Sequence, residues 1–425
     1  MRNEPITNQL FKRNRAKLTK QLKPNSVAIV NSSDSMPRNG DLHFTYRQNS
    51  DLFYLTGIDQ EETSLILLSD GTEILFIMKP DKLRETWEGR KLTGEEASHI
   101  SGIKTVKYVT DLERELKQAA SQADYLYLNK NENARYHSVL ETNDDRFIHQ
   151  MKQWFPLHHL TRLAPLLCNL RLVKEPEEIA LIEKACSITR EGFLRVLKTI
   201  EPGMKEYEVE AELAYEFIRR GASGHAFETI VASGENACYL HYNKNNQTMV
   251  DGTMTLIDFG AEYAQYASDC SRTIPVGGKY TRRQLQVYDA CLEVFLYTQS
   301  IIRPGISLKE CQADVCAKME SELIKLGLFT HADIKNQNLG APLYRNYFMH
   351  GVSHFMGLDT HDVGTHDVIL QPGMVLTCEP GIYILEEKIG VRIENDLLIT
   401  PTGNRDLMPD IPIYPSDIEK LMKER

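Results

Sequence analysis

No stretch of this chain approaches the roughly 20 uninterrupted apolar residues that a membrane span requires, because even its best apolar runs are broken by Gly, Asp or Lys within about ten positions. No membrane partner is expected. Cysteine pairs are also lacking. The eight cysteines, Cys168, Cys186, Cys238, Cys270, Cys291, Cys311, Cys316 and Cys378, are scattered without a CxxC spacing, which argues against structural zinc and against a disulfide framework. They read as reduced, mostly buried small hydrophobes of a cytoplasmic protein. There is no GxSxG elbow for a serine hydrolase, no GxGxxG or Walker loop for nucleotide chemistry, and no HExxH for a zincin. An excess of basic residues is missing too. With 49 Lys+Arg against 59 Asp+Glu the formal net charge is -10, so nucleic acid is not an expected partner. The one basic stretch, Met1 to Lys23, has no apolar core and is interrupted by Glu4, while Leu10, Phe11 and Leu18 are spaced as on an ordinary surface helix. It does not read as a targeting peptide.

What is present fits a globular chain of 425 residues with 42% apolar and 25% charged residues, long enough for two domains. Apolar runs at Val27 to Val30, Ser64 to Leu68, Glu73 to Met78 and Tyr125 to Leu128 alternate with polar helical segments, the texture of an α/β domain. Near Arg171 the texture changes. Glu175-Pro176-Glu177-Glu178 opens a long amphipathic run, with proline in the first turn and acids at the positive helix end. The boundary is placed at about 172, giving domains 1–171 and 172–425. In the second, a helix closed by Glu201-Pro202-Gly203 recurs as a helix opened by Thr281 and Gln284 in capping-box spacing and closed by Arg303-Pro304-Gly305. A helix-helix-strand unit used twice around a shared antiparallel sheet is the expected architecture, α/β (α+β) in class.

The chemistry lies in four acids embedded in apolar strand sequence. Asp258 ends the run Met254-Thr255-Leu256-Ile257, and Asp269 follows Tyr266-Ala267-Ser268; a hairpin centred between Tyr263 and Ala264 sets them opposite one another. Glu379 and Glu394 are opposed in the same way if their hairpin is centred between Glu386 and Glu387. Two carboxylates about 4 Å apart repel by roughly 4 kcal/mol even at an effective dielectric of 20. They must share a proton or hold a cation. Taken singly, each acid reads as a solvated strand-end charge, but unpaired charges in apolar strands are costly. Between the two pairs stand His350, His354 and His361, punctuated by Gly351 and Gly357, which disfavour a regular helix and favour a loop and strand. A lone histidine is usually a satisfied core or surface residue, and His241 taken alone could be one. Four carboxylates and an imidazole suit Mn²⁺, Co²⁺ or Zn²⁺ rather than a thiolate zinc centre. Two such ions could acidify a water and polarise a carbonyl, as amide hydrolysis demands.

Five segments, Asp258-Phe259-Gly260-Ala261, Ser268 to Thr273, His350 to Asp362, Thr377 to Gly381 and Val391 to Asp396, together with Tyr46 to Gly57 in the amino half, resemble in order and spacing the pita-bread metallopeptidases, and among them the Xaa-Pro aminopeptidases. The likeness covers almost the whole chain. It implies an amino-terminal α/β domain serving oligomerisation and substrate access, then a pita-bread catalytic domain with a pseudo-twofold repeat around a curved antiparallel sheet. It further implies that Asp258, Asp269, His354, Glu379 and Glu394 bind two divalent ions, most often Mn²⁺, with Asp269 and Glu394 bridging and Glu379 acting as general base. His241, His350 and His361 would line the substrate side, and Arg392 would orient them. The implied reaction removes the first residue from peptides with proline second. Its alternatives are a prolidase restricted to Xaa-Pro dipeptides and a non-catalytic peptide- or histone-binding relative. The resemblance also implies a homodimer or homotetramer. Read alone, Trp87 is an ordinary core tryptophan; in the resembled family an aromatic at its place can be offered to a neighbouring subunit's site.

Overall fold

The structure, a computed structural model, describes residues 3–338 and 340–424. Met1, Arg2 and Arg425, the outermost residues of the two expected domains, lie outside the described residues. The chain divides into two compact units, Glu4–Arg171 and a second running from Leu172.

In the first unit β1 (Ser26–Asn31), β2 (Ser64–Leu68), β3 (Glu73–Ile77), β4 (Val106–Tyr108), β5 (Tyr125–Leu128) and β6 (His159–Arg162) form one sheet in the order β4-β3-β2-β1-β5-β6. Strand β1 is antiparallel to β2 and parallel to β5, so the sheet is mixed. Every residue of β1 is buried, which is why its apolar run is continuous rather than alternating. Val27, Ile29, Ile66, Phe76 and Leu126 pack against Leu116, Ala120 and Met151 from the helices Leu112–Ala120 and Asn143–Trp154.

Two expectations are corrected here. The helix Asn8–Thr19 does bury Leu10, Phe11 and Leu18 along one side, but Arg15 is buried with them. Its Nη1 donates to the carbonyls of Leu55 and Ser101, in the last turns of the helices Ser50–Thr56 and Gly94–Ser101, and its Nε faces Glu73 at 2.9 Å. This is a docked helix rather than a surface one, because its arginine satisfies carbonyls that those helix ends leave without partners. Trp87 is no core residue either. It is 84% exposed on the helix Lys82–Glu88, which buries none of its residues and so has no core for the indole to join.

In the second unit the helices Pro176–Thr199 and Glu206–Arg219 precede β7 (Gly224–His225), β8 (Ile230–Ser233), β9 (Met254–Phe259), β10 (Ala261–Tyr263), β11 (Tyr266–Ala267) and β12 (Cys270–Pro275). The helices Arg282–Ile301 and Leu308–Lys325 then precede β13 (Val375–Cys378), β14 (Gly381–Ile384), β15 (Ile389–Arg392), β16 (Asn395–Thr400) and β17 (Gly403–Asp406). The helix-helix-strand order thus recurs, with Pro176 in a first turn and Thr281 and Gln284 forming a capping box. The strands make four short antiparallel ladders, β11-β10-β7, β12-β9-β8, β13-β16-β17 and β14-β15. Breaks fall at Gly260 and at Glu379-Pro380, where proline has no N–H to continue a ladder. The two halves meet where Glu394 N donates to Ser271 O at 3.1 Å and Arg392 N to Thr273 Oγ1 at 3.2 Å.

Candidate metal centre

The hairpin between β9 and β12 is centred one residue later than the spacing predicted. Tyr263 pairs with Tyr266, and Asp258 pairs with Ser271 rather than Asp269. The cause is the turn at Ala264 and Gln265, both left-handed at φ 53 and 66, which closes a two-residue hairpin without the Asn-Gly that usually signals one. Asp258 therefore faces Asp269 diagonally. Because strand side chains alternate, a slip of two partners leaves both acids on one face, where a slip of one would have separated them. The second hairpin has the expected register: Gly381 pairs with Arg392 and Cys378 with Asn395, which sets Glu379 across from Glu394 at the break between the ladders.

These strands bring the acids onto His354. A carboxylate oxygen of Asp269, one of Glu394 and a ring nitrogen of His354 lie within 4.8 Å of one another, and all three residues are buried. His354 Nε2 is 3.4 Å from Asp269 Oδ2 and 3.5 Å from Glu379 Oε1. Its Nδ1 lies 3.0 Å from the Phe355 carbonyl, which can only accept, so in the neutral ring Nδ1 carries the proton and Nε2 turns a lone pair to the carboxylates. Thr377 Oγ1 donates to Glu379 Oε1 at 3.2 Å, and Ser271 Oγ to Glu394 Oε2 at 2.8 Å. Burial, reinforced by the other carboxylates of the group, pushes Asp269 and Glu394 well above the ordinary carboxylate range, and burial raises Glu379 as well.

The residues present fit divalent cations. The donors are carboxylate oxygens and one imidazole nitrogen, a set suited to Mn²⁺, Co²⁺ or Zn²⁺. The Phe355 carbonyl sets the His354 tautomer as a supporting group does at a metal site. Asp258 Oδ2 receives Arg392 Nη2 at 2.6 Å, yet its Oδ1 is buried with no hydrogen-bond partner, an orphaned acceptor that a cation would satisfy.

The segment His350 to Asp362 is irregular, with one bridge from Phe355 to Leu376, as the glycines implied. His354 and His361 stand edge to face with ring centroids 4.5 Å apart. His350 Nδ1 lies 2.8 Å from the Gly351 carbonyl, and burial lowers its pKa, with Arg392 and His241 acting in the same direction and Glu379 opposing. Its Nε2 therefore accepts from Tyr383 Oη at 2.8 Å, and Tyr383 accepts in turn from Arg392 Nη1 at 3.0 Å. His241 is exposed, in the loop after the short helix Gly234–Cys238. Sequence reasoning missed Tyr383. The only signal was alternation: Gly381 and Tyr383 are two residues apart on β14 and share a face, and the structure shows why glycine is needed there, since a side chain on Gly381 would meet the Tyr383 hydroxyl at 2.4 Å.

Residues 180–401 match metallopeptidase family M24, and residues 11–127 match the aminopeptidase P N-terminal domain. The Xaa-Pro aminopeptidase of Escherichia coli (strain K12) is 38% identical over 98% of both chains. Among solved structures, a variant E. coli aminopeptidase P in complex with substrate superposes with a TM-score of 0.89 at 35% identity, covering 99% of each chain. A zinc-substituted E. coli aminopeptidase P in complex with product gives 0.89 at 36%, again over 99% of each.

Proposed function

The chain belongs to metallopeptidase family M24, and from that premise we propose that it is a metal-dependent exopeptidase that releases the N-terminal residue from peptides whose second residue is proline. The observation that carries this reading is the buried convergence of Asp269, Glu394 and His354, with Glu379 beside the histidine. We assign Asp258, Asp269, His354, Glu379 and Glu394 as the side chains that would hold two divalent ions, Mn²⁺ first with Co²⁺ or Zn²⁺ able to replace it, Asp269 and Glu394 being the two that would serve both. Such ions supply an acidified water and a polarised scissile carbonyl.

The chain's own side chains do the rest. Glu379, steadied by Thr377, takes the proton of the attacking water and returns one toward the departing proline nitrogen. His350 lines the substrate side with its ring fixed at both nitrogens, Nδ1 on the Gly351 carbonyl and Nε2 on the hydroxyl that ends the Arg392–Tyr383 chain. His241 and His361 line the substrate side. Arg392 bonds Asp258, Ser271 and Tyr383 at once, joining both hairpins to the histidine side.

Residues 1–171 serve oligomerisation and substrate access in this reading. Leu42, Phe44, Leu83, Trp87, Val139 and Leu140, all of that unit, are between 59% and 89% exposed, a supply of apolar surface that a homodimer or homotetramer would cover. We propose a cytoplasmic setting, in keeping with eight cysteines that are all free thiols; among the described residues no helix is long and apolar enough to cross a membrane.

The test is a matched assay of Ala-Pro, Ala-Pro-Ala and acetylated Ala-Pro-Ala with Mn²⁺ present. Cleavage of the tripeptide with kcat/KM at least comparable to the dipeptide, and none of the acetylated peptide, is expected. Strict dipeptide preference means a prolidase, and no cleavage of any of the three favours a peptide-binding role.

A further inference from the structure

Outside the metal centre the second unit contains another set of buried charges. Lys174, just before the helix Pro176–Thr199, points Nζ at Asp362 Oδ2 across 3.1 Å, and both side chains are 1% exposed. One helical turn on, Glu178 is buried too; its Oε2 accepts from Glu175 N at 2.8 Å and its Oε1 from the Tyr266 hydroxyl at 2.9 Å. A buried ion pair has little advantage over apolar side chains filling the same space. What it adds is direction.

The direction is informative because of what Asp362 adjoins. Asp362 N donates to Phe355 O at 2.9 Å and closes the loop between them at its neck. His354 and His361 flank that neck on its two strands. The His354 side is tied to β13 by His354 N donating to Thr377 Oγ1 at 3.1 Å and by Thr377 N donating to His354 O at 2.9 Å. The His361 side is held at Asp362 by Lys174, and Thr360 Oγ1, one residue before His361, also donates to Ala226 O at 3.4 Å. Within the loop, Ala267 N donates to Gly357 O at 2.9 Å, and a side chain on Gly357 would meet Asp362 Oδ2 at 2.3 Å and Lys174 Cε at 2.9 Å. Glycine leaves the space through which the lysine reaches the aspartate.

We propose that Lys174 is a positioning residue for the peptidase reaction: through its buried contact with Asp362 it sets the loop neck so that His361 stands against His354 and faces the substrate. The proposal rests on the reading of His361 as a substrate-side group. It gives a role to a buried cation whose ion pair is with Asp362 and not with any of the proposed metal ligands.

The test compares Lys174→Met, Lys174→Arg, His361→Ala and the two double variants for turnover of Ala-Pro-Ala, metal content and thermal midpoint. Lys174→Met is expected to lower kcat by about tenfold or more, with KM within about threefold and metal content unchanged. In the His361→Ala background the same change should cost less than about twofold, because the group it positions is already gone. Lys174→Arg keeps the buried charge and so folds even where the methionine variant does not; its displaced guanidinium should give the same non-additive loss. Undiminished turnover in either folded Lys174 variant, or a loss that multiplies in full with that of His361→Ala, overturns the proposal. Full activity of His361→Ala alone removes the reading beneath it, whereas an inactive His361→Ala beside active Lys174 variants removes only the positioning role.

Discussion

At the scale of single residues, the site is organised by which hydrogen-bond roles each neighbour leaves open. Backbone carbonyls take the Nδ1 protons of both His350 and His354, so Nε2 is the acceptor of the neutral ring in each: that of His354 is turned to Asp269 and Glu379, and that of His350 takes the Tyr383 hydroxyl. Tyr383 shows what one hydroxyl can do in such a setting. Burial raises its pKa, so it keeps its proton, and it spends that proton on His350 while accepting from Arg392. Tyr383→Phe keeps the ring and deletes the link. We expect kcat for a proline-second tripeptide to fall about tenfold or more, the effect of losing a buried hydrogen bond worth roughly 1.5 kcal/mol where it strengthens in the transition state. Metal content should not change, since the Tyr383 hydroxyl hydrogen-bonds His350 and Arg392, neither of them a proposed ligand. An unchanged kcat in the phenylalanine variant would show that Arg392 and His350 work independently.

Among elements, the loop carrying His241 is held by one buried acid. Glu206, in the first turn of the helix Glu206–Arg219, is 0% exposed and accepts from Ser233 N at 2.8 Å, Ser233 Oγ at 2.7 Å, Tyr242 Oη at 2.7 Å and Gln247 N at 2.9 Å. Both ends of the segment 233–247 are thus fastened to one carboxylate, whose charge also suits the positive helix end. Glu206→Ala would leave several part-buried donors without their carboxylate, at a cost of about 2 kcal/mol. The loss should be local. Amide exchange within 233–247 is expected to accelerate and turnover to fall with His241 unfixed, while β13 to β16 keep their protection. Equal protection of the loop in wild type and variant would count against the staple.

For the whole molecule, the proposed metal site would make metal part of the stability of the second unit and leave the first untouched, because every proposed ligand lies after Leu172. Cations that bind only the folded site stabilise it by mass action, adding about 2.7 kcal/mol when the free ion is a hundredfold above its Kd. Two unfolding transitions are expected by calorimetry, consistent with two units each with its own core. Chelation should lower one midpoint, return on Mn²⁺ addition and spare the other. If both transitions shift together, the units unfold as one and the assignment of metal to the second unit alone is lost.

Much of this was legible in the sequence because it depends on local periodicity. Acids inside apolar strand sequence, their spacing about two hairpin centres and the alternation of strand faces sufficed to place Asp258 with Asp269 and Glu379 with Glu394 on shared faces, and the second register needed no correction. The first was off by one position in its centre, since Ala264 and Gln265 adopt left-handed turn geometry that their residue types do not announce. Capping boxes and the proline in the first turn of Pro176–Thr199 were equally readable, being patterns within a few residues. Tertiary structure alone decided where distant segments meet. Arg15 is buried because two other helices end beside it, Trp87 is exposed because its helix buries nothing, and Lys174 finds Asp362 from 188 residues away. A residue's type and spacing determine the face it takes on its own element, but what covers that face depends on packing between elements, which no local pattern records.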